Sequence, residues 1–144
     1  NYSRVVSEPY YLAVNENNPL SKKNEISIYD LHGEDFIMYD AIIGKYSFEL
    51  LSSLFVNSGV KPNFVQYVSQ PSVFLGLVRA SVGVALLASS SKENLPENVI
   101  FKKILLPEWV RADVFLATKK EPKNKLIPEV YNSIMEALYN AEKI

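Results

Sequence analysis

The sequence predicts an α/β protein with a mixed, mostly parallel sheet flanked by helices, and three observations support this fold class. Short apolar runs alternate with segments of helical period, as expected where helices cover both faces of a sheet. The chain has 144 residues, 48% of them hydrophobic, which is enough to form a core without disulfides. Late in the chain, apolar and polar residues alternate along one predicted strand, which favours an antiparallel addition at the sheet edge.

The first part of the chain predicts two strands and a helical turn. Residues 10–14 form a continuous apolar run, typical of a strand covered on both faces, and the run ends in the polar loop 15–19. Ser27 can cap a short helical turn that carries Leu31 onto the core. Residues 36–39 are again apolar and predict a second buried strand.

A long helix is predicted from residue 44 or 45. Its stop signal is Gly59, with Pro62 just beyond. Residues 64–68 then predict a third strand. Apolar residues at spacings of three and four form the buried face of this helix: Phe48, Leu51, Leu54 and Phe55.

A second helix and a fourth strand follow. Pro71 suits the first turn of the helix, and Gly76 is interpreted as a close helix–sheet contact. Residues 83–87 are apolar throughout and predict the strand. The inner face of the helix is predicted to consist of Phe74, Leu77, Val78 and Ser81.

The last third predicts two longer strands, a charged linker and a C-terminal helix. The strands are residues 99–106 and 112–118, and the linker is 119–125. Pro128 opens the helix, since proline is tolerated in a first helical turn. Its apolar stripe consists of Val130, Ile134, Ala137, Leu138 and Ala141.

Composition excludes several classes of site. The chain has 15 Lys and Arg against 16 Asp and Glu, without the clustered positive charge that a DNA duplex requires. The absence of Cys and the single His exclude thiolate metal sites and any site with two histidines. His32 lies in a predicted turn, where a solvated residue is a better interpretation than a general base. The glycines match no nucleotide-binding fingerprint, and no cofactor, metal or membrane segment is predicted.

Two corners of the predicted sheet are candidates for ligand binding. They are the loop 40–46 before the first long helix and the segment 69–72 before the second. Ligands of such sheets bind where the carboxyl ends of strands meet helix N-termini, and unpaired N–H groups there can hold an anion. An alternative is that Ser69 and Ser72 merely cap the helix. Residue type alone leaves both interpretations open.

Several segments together resemble the effector-binding domain of LysR-type transcriptional regulators. They read EPYYLAV at 8–14, NPLS at 18–21, IYDL at 28–31, FIMY at 36–39 and LGLVRASVGVALL at 75–87. The resemblance implies a lobe like those of type 2 periplasmic binding proteins. Departures from the usual pattern are Asn18 for His, Ser81 for Gly and Ala88 for Pro.

The resemblance also implies a division of the chain. Residues 1–9 would be a crossover segment from a first lobe that is largely missing, and residues 10–117 would be the second effector-binding lobe. Residues 118–144 would be a linker and a C-terminal helix that returns toward the first lobe. We therefore expect the chain to be part of a longer polypeptide.

The function implied is that of the inducer-sensing part of a bacterial regulator, without enzymatic activity. Its partners would be a small organic molecule, possibly a carboxylate, and DNA contacted only through an N-terminal helix-turn-helix absent from this chain. We expect a cytoplasmic homo-oligomer that has no membrane contact. Alternatives are a fragment of a bilobal solute-binding protein and, less favoured, an enzyme on a related scaffold. Carried over by position, the inducer-facing residues are Asp40, Ala41, Ile42, Gly44, Tyr46, Ser69, Gln70 and Pro71.

Overall fold

The computed structural model describes residues 2–120 and 123–142. Strand β1 (Tyr2–Asn15) is the central strand of its main sheet. It pairs antiparallel with β4 (Ala85–Ala88) on one side and β5 (Val99–Lys102) on the other. A further strand, β6 (Arg111–Ala117), also pairs with β1. The buried half of β1 is apolar on both faces, as its continuous apolar run predicts.

Strands β2 (Asp35–Tyr39) and β3 (Asn63–Val68) pair parallel and extend this sheet. The connection to β4 is made by two backbone hydrogen bonds, from Ile37 N–H to the Val84 carbonyl at 2.9 Å and from Val84 N–H to the Asp35 carbonyl at 2.8 Å. This contact is a parallel bridge. The carboxyl ends of β2, β3 and β4 therefore lie on one edge, called here the strand-end edge.

Helices α1 (Lys45–Ser58) and α2 (Pro71–Arg79) cover opposite faces of the sheet. Successive side chains of a strand point to opposite faces, and the core follows this alternation. Leu12 and Val14 pack in the cluster that contains α1, whereas Ala13 packs in the cluster that contains α2. The predicted α/β fold class with flanking helices is confirmed.

Local signals predicted most element boundaries. Helix α1 ends where expected, because Gly59 adopts a left-handed φ of 71° and closes the helix. A 3₁₀ turn spans Ile28–Leu31, and the Asp30 carboxylate accepts a hydrogen bond from the Ser27 N–H at 2.9 Å. The predicted turn is therefore confirmed.

The prediction that the sheet is mostly parallel needs a correction in its detail. Parallel pairing joins β2 to β3 and, through one bridge, to the start of β4, while β1 runs antiparallel to β4 and β5. Antiparallel pairing was expected only for the late strands at an edge. A continuous apolar run reports burial of both faces but carries no information about strand direction.

Three smaller predictions were wrong. Ser81 is exposed, because α2 ends at Arg79 and Ser81 has a φ of 59° in the turn beyond it. Gly76 makes no close contact with the sheet, since a Cβ built there meets nothing within 4 Å. Strand β5 stops before residue 106, because the Leu105 N–H bonds to the Ile26 carbonyl at 2.8 Å instead of continuing the ladder.

The chain divides into two compact units. The main unit is Glu8–Ala112, and the terminal unit combines Asn1–Ser7 with Asp113–Ile144. Assignment of these units to lobes stays a prediction. Parts of the predicted segments 1–9, 118–144 and the linker 119–125 lie outside the described residues, namely Asn1, Glu121, Pro122, Lys143 and Ile144.

Within the terminal unit, helix α3 spans Leu126–Glu142, with Pro128 in its first turn as predicted. The Tyr131 hydroxyl is hydrogen-bonded to the Ser3 hydroxyl, and Arg4 pairs with Asp113 at 3.7 Å. Val130, on the predicted apolar stripe, is 56% exposed. None of the described helices is long and apolar enough to cross a membrane.

Gly83 gives a test of the β2–β4 contact. A Cβ at this position would lie 2.7 Å from the Asp35 carbonyl oxygen, which accepts the hydrogen bond from Val84. We predict that Gly83→Ala lowers the free energy of unfolding by about 1–3 kcal/mol. The measurement is urea denaturation followed by circular dichroism.

The matched control is Gly76→Ala in helix α2, where a Cβ meets nothing. This variant should gain about 0.5–1 kcal/mol, because alanine is the better helix former. Equal effects of the two substitutions would contradict the proposed close approach at Gly83.

Candidate functional site

The two predicted ligand-binding segments lie side by side at the strand-end edge. Tyr39 and Val68 are the last register partners of β2 and β3. Just beyond them, the Asp40 N–H donates to the Val68 carbonyl at 2.8 Å. The loop that leaves β2 and the segment that leaves β3 therefore start from adjacent points.

The loop after β2 is held by Asp40. Its Oδ1 accepts hydrogen bonds from the N–H groups of Ile42 and Ile43, each at 2.9 Å, and its carbonyl accepts from the Gly44 N–H at 3.0 Å. Hydrogen bonds from Ile43 and then Ile42 hold the pKa of the Asp40 carboxyl below its usual value. The loop leaves Ala41 exposed and Ile42 86% exposed.

The loop turns so tightly at Gly44 that it leaves little room for a side chain there. A Cβ there would lie 3.0 Å from the Asp40 carbonyl oxygen and 3.1 Å from the Tyr39 Cβ. Gly44 is also the N-cap residue of α1, and it has no side chain with which to cap the helix. The first N–H groups of α1 thus have no side-chain acceptor at the cap.

Helix α2 begins at the same edge and is uncapped as well. Its N-cap residue is Gln70, the side chain of which makes no capping hydrogen bond. The alternative in which Ser69 caps the helix is therefore wrong, because Ser69 precedes the N-cap position. Within residues 2–120 and 123–142, the half-buried Ser69 hydroxyl makes no hydrogen bond. Pro71, at the first helical position, is exposed and has no N–H to satisfy.

Tyr46 links the start of α1 to another element. Its hydroxyl donates to the Arg111 carbonyl at 2.9 Å, and the side chain is half exposed. The hydroxyl proton is therefore occupied, so that this group can only accept a hydrogen bond from a ligand. All eight predicted site residues lie on the loop 40–46 or the segment 69–71, which the fold brings to one edge.

The edge contains further polar residues that sequence reasoning missed. Tyr10 pairs with Ala88, so the antiparallel register brings Glu8 to the end of β4. There the Glu8 carboxylate accepts hydrogen bonds from the hydroxyls of Ser89 at 3.4 Å and Ser90 at 3.0 Å. These partners are more than 80 residues apart in sequence. No local signal could have joined them without the strand register.

Two tyrosines, the buried Tyr10 and the half-buried Tyr39, make hydrogen bonds next to this edge. The Tyr39 hydroxyl donates to the Leu86 carbonyl at 2.9 Å, and the Tyr10 hydroxyl is hydrogen-bonded to Ser47 at 2.9 Å. Burial raises the pKa of Tyr39 well above its usual value, so this hydroxyl remains protonated. These two tyrosines fix β1, β2, β4 and α1 relative to one another.

His32 lies away from this site. It follows the turn before β2, and its Nδ1 accepts a hydrogen bond from the Lys61 N–H at 3.1 Å. His32 precedes β2 and Lys61 precedes β3, so this pair lies at the amino-terminal ends of both strands, opposite the strand-end edge. Among the described side chains, no group of three His, Asp or Glu could hold a metal ion.

Comparison with known proteins identifies the family. The model of the LysR substrate binding domain matches residues 1–137. This chain belongs to that family. The resemblance found in the sequence is thereby confirmed.

One curated relative of this LysR substrate-binding domain is the HTH-type transcriptional regulator AlsR of Bacillus subtilis (strain 168). The two are 31% identical over 129 residues, which cover 84% of this chain and 40% of AlsR. The chain thus spans about two fifths of that relative's length.

Two solved structures show the same fold. The BenM effector-binding domain with its effector benzoate superposes with a TM-score of 0.81 at 21% identity, covering 99% of this chain and 64% of that one. The effector-binding domain of QuiR in complex with shikimate gives a TM-score of 0.80 at 20% identity, covering 97% and 66%.

Asp40 gives a test of the loop geometry. We predict that Asp40→Ala lowers the melting temperature and speeds amide hydrogen exchange at Ile42 and Ile43, whose N–H groups lose their acceptor. Asp40→Asn should have a smaller effect, because its amide oxygen can still accept. The control is Glu97→Gln, which removes an exposed carboxylate elsewhere in the main unit.

The pH dependence follows from the lowered pKa of Asp40 in the folded state. The contribution of its carboxylate is complete above the unfolded-state value, about 3.9. It is lost as the pH falls through the lower pKa of the folded state. The stability difference between wild type and Asp40→Asn should therefore shrink only in acid, and a difference unchanged at low pH would contradict this.

Proposed function

We propose that this chain is the larger part of the effector-binding domain of a LysR-type transcriptional regulator, and that it binds a small organic anion at the strand-end edge. One observation carries the proposal. Helices α1 and α2 both begin at this edge, and neither has a side-chain hydrogen bond at its N-cap. The first turn of α1 therefore presents several backbone N–H groups to a ligand. In α2 only the Ser72 N–H is available, because Pro71 has no N–H and the Val73 N–H donates to the Gln70 carbonyl at 3.1 Å.

Electrostatics favour an anion at this position. The N-terminus of a helix carries a partial positive charge, and its unpaired N–H groups are oriented to donate to a bound oxygen. Benzoate and shikimate, the ligands named for BenM and QuiR, each carry a carboxylate. A carboxylate is thus the chemistry that fits both the edge and the relatives.

Each predicted residue has a role that its environment supports. The Ser69 hydroxyl and the Gln70 amide would donate to the carboxylate, with Pro71 fixing the direction of the chain into α2. Ala41 and Ile42, both exposed, would cover the apolar part of the ligand. Asp40, Gly44 and Tyr46 would shape the loop, since their polar groups already take part in its hydrogen bonds or its tight turn.

We further propose that the whole regulator is a cytoplasmic homo-oligomer that acts without catalysis. It would contact DNA through an N-terminal helix-turn-helix outside this chain. An effector held between two lobes would favour one interlobe geometry and shift the population of DNA-bound forms. A ligand can do this only to the extent that it binds one geometry more tightly than the other.

The proposal predicts the effect of removing the two donors. On the complete two-lobed domain, Ser69→Ala and Gln70→Ala should each weaken carboxylate binding about five- to tenfold, the loss expected for one hydrogen bond of about 1–1.4 kcal/mol. The measurement is a thermal-shift screen of small carboxylates, followed by calorimetric titration of the best one.

Matched controls lie on the same unit. Ser53→Ala removes an exposed hydroxyl from the middle of α1, and Gln66→Ala removes an exposed amide from β3. Both should bind the carboxylate as the wild type does. If the controls and the two edge variants lost affinity equally, the strand-end edge would not be the binding site.

A further inference from the structure

A surface depression lies beside helix α2. Its volume is about 730 Å³, and it lies between α2 and the 3₁₀ segment Ser89–Asn94. Small-molecule sites typically enclose about 300–1,000 Å³. It adjoins the strand-end edge at Gln70, Pro71, Ser72 and Ser90 and otherwise follows α2 toward its C-terminus. We call it the α2 groove.

Gly76 keeps this groove open. It lies within α2 and lines the groove, and a Cβ built on it would meet nothing within 4 Å. A glycine inside a helix costs about 0.5–1 kcal/mol relative to alanine. No neighbour within the described chain requires this glycine. Because glycine has no side chain, a bound group can approach the helix backbone closely at this position.

Arg79 supplies a positive charge at the far end of the groove. It is exposed, and no carboxylate of the described residues lies within ion-pairing distance of its guanidinium. A cation at the end of a helix often serves its last carbonyls. Here those carbonyls already have other donors, so Arg79 is not needed for that purpose.

The donors to the last carbonyls of α2 come from the following turn and from β1. Gly76 and Val78 accept hydrogen bonds from the N–H groups of Ala80 and Ser81, each at 3.0 Å. Leu77 accepts from the Val82 N–H at 3.0 Å, and Arg79 accepts from the Asn15 amide at 2.9 Å. The last four carbonyl groups of α2 therefore each already accept a hydrogen bond.

Most of the remaining polar groups of the groove can donate a hydrogen bond. The Asn94 amide and the Ser91 hydroxyl line it, and neither has a hydrogen-bond partner in the part of the chain that the structure describes. Ser90 also lines the groove, but its hydroxyl proton is donated to Glu8. No acidic side chain lines the groove. Donors and a guanidinium without a carboxylate favour an anionic ligand.

We propose that the part of the α2 groove beyond the strand-end edge, from Gly76 to Arg79 and Asn94, is a second binding site for a small molecule that carries a phosphate or a carboxylate. The oxyanion contacts Arg79 and Asn94, and the rest of the molecule lies over Gly76 beside Leu75. This site does not depend on the effector site proposed above. A regulator with both sites can respond to two metabolites.

The test is an NMR titration of the ¹⁵N-labelled 144-residue chain with inorganic phosphate and, separately, with succinate. Saturable amide shifts at Gly76, Arg79 and Asn94 are expected with at least one probe, and the stronger of the two responses tells a phosphate site from a carboxylate site. Shifts at Ile42, Ile43 and Ser69, which do not line the groove, report the strand-end edge, so the two proposals are read separately.

Two variants address the groove itself. Gly76→Leu places a side chain in the groove at a position where a Cβ meets nothing within 4 Å, and it should not lower the melting temperature, while Arg79→Gln removes the charge. Each should weaken binding of the probe at least tenfold. The controls Val73→Leu and Lys92→Gln alter an exposed α2 position and a nearby charge that do not line the groove, and they should stay within twofold of wild type.

Three results would overturn the proposal. The first is the absence of a saturable shift at the groove with either probe. The second is unchanged binding in both Gly76→Leu and Arg79→Gln. The third is an equal loss in Lys92→Gln and Arg79→Gln, which would mean that the probe senses diffuse surface charge.

Discussion

The parallel alignment of β2 with β3 on one side and with β4 on the other is the constraint on which the proposed binding surface depends. Backbone hydrogen bonds set this alignment, from Asp40 to Val68 and between Ile37 and Val84. They bring three strand ends to one edge, and each strand continues into a loop or helix start there. A change of register would separate the loop 40–46 from the segment 69–71 and leave no shared site.

Side-chain hydrogen bonds hold the strands and the loop at this edge, whereas the first turns of α1 and α2 have no side-chain cap. Tyr10 and Tyr39 join the strands and α1 through hydrogen bonds in the interior, and Asp40 holds its loop from within. The helix starts at Gly44 and Gln70 are left without side-chain caps. Capping either helix would stabilise the unit, but it would also occupy the N–H groups that a ligand would use.

Local sequence signals were sufficient for elements that are defined locally. The period of α1, its stop at Gly59 and the proline at the start of α2 predicted both helices close to their observed bounds. The direction of β1 was not predictable in the same way, because burial on both faces is compatible with either direction. That direction brings Glu8 to Ser90, so this contact was missed as well. Gly76 was misread because a glycine in a helix can serve a neighbour or leave space, and only the structure distinguishes them.

A crystal structure of the complete two-lobed domain with para-bromobenzoate tests the central claim most directly, because the anomalous signal of bromine locates the ligand independently of the model. We predict a bromine peak next to Ile42, with the carboxylate about 3 Å from the Ser69 hydroxyl or the Ser72 N–H. A ligand bound only at the opposite strand ends near His32, or only in the α2 groove, would contradict the account of the strand-end edge.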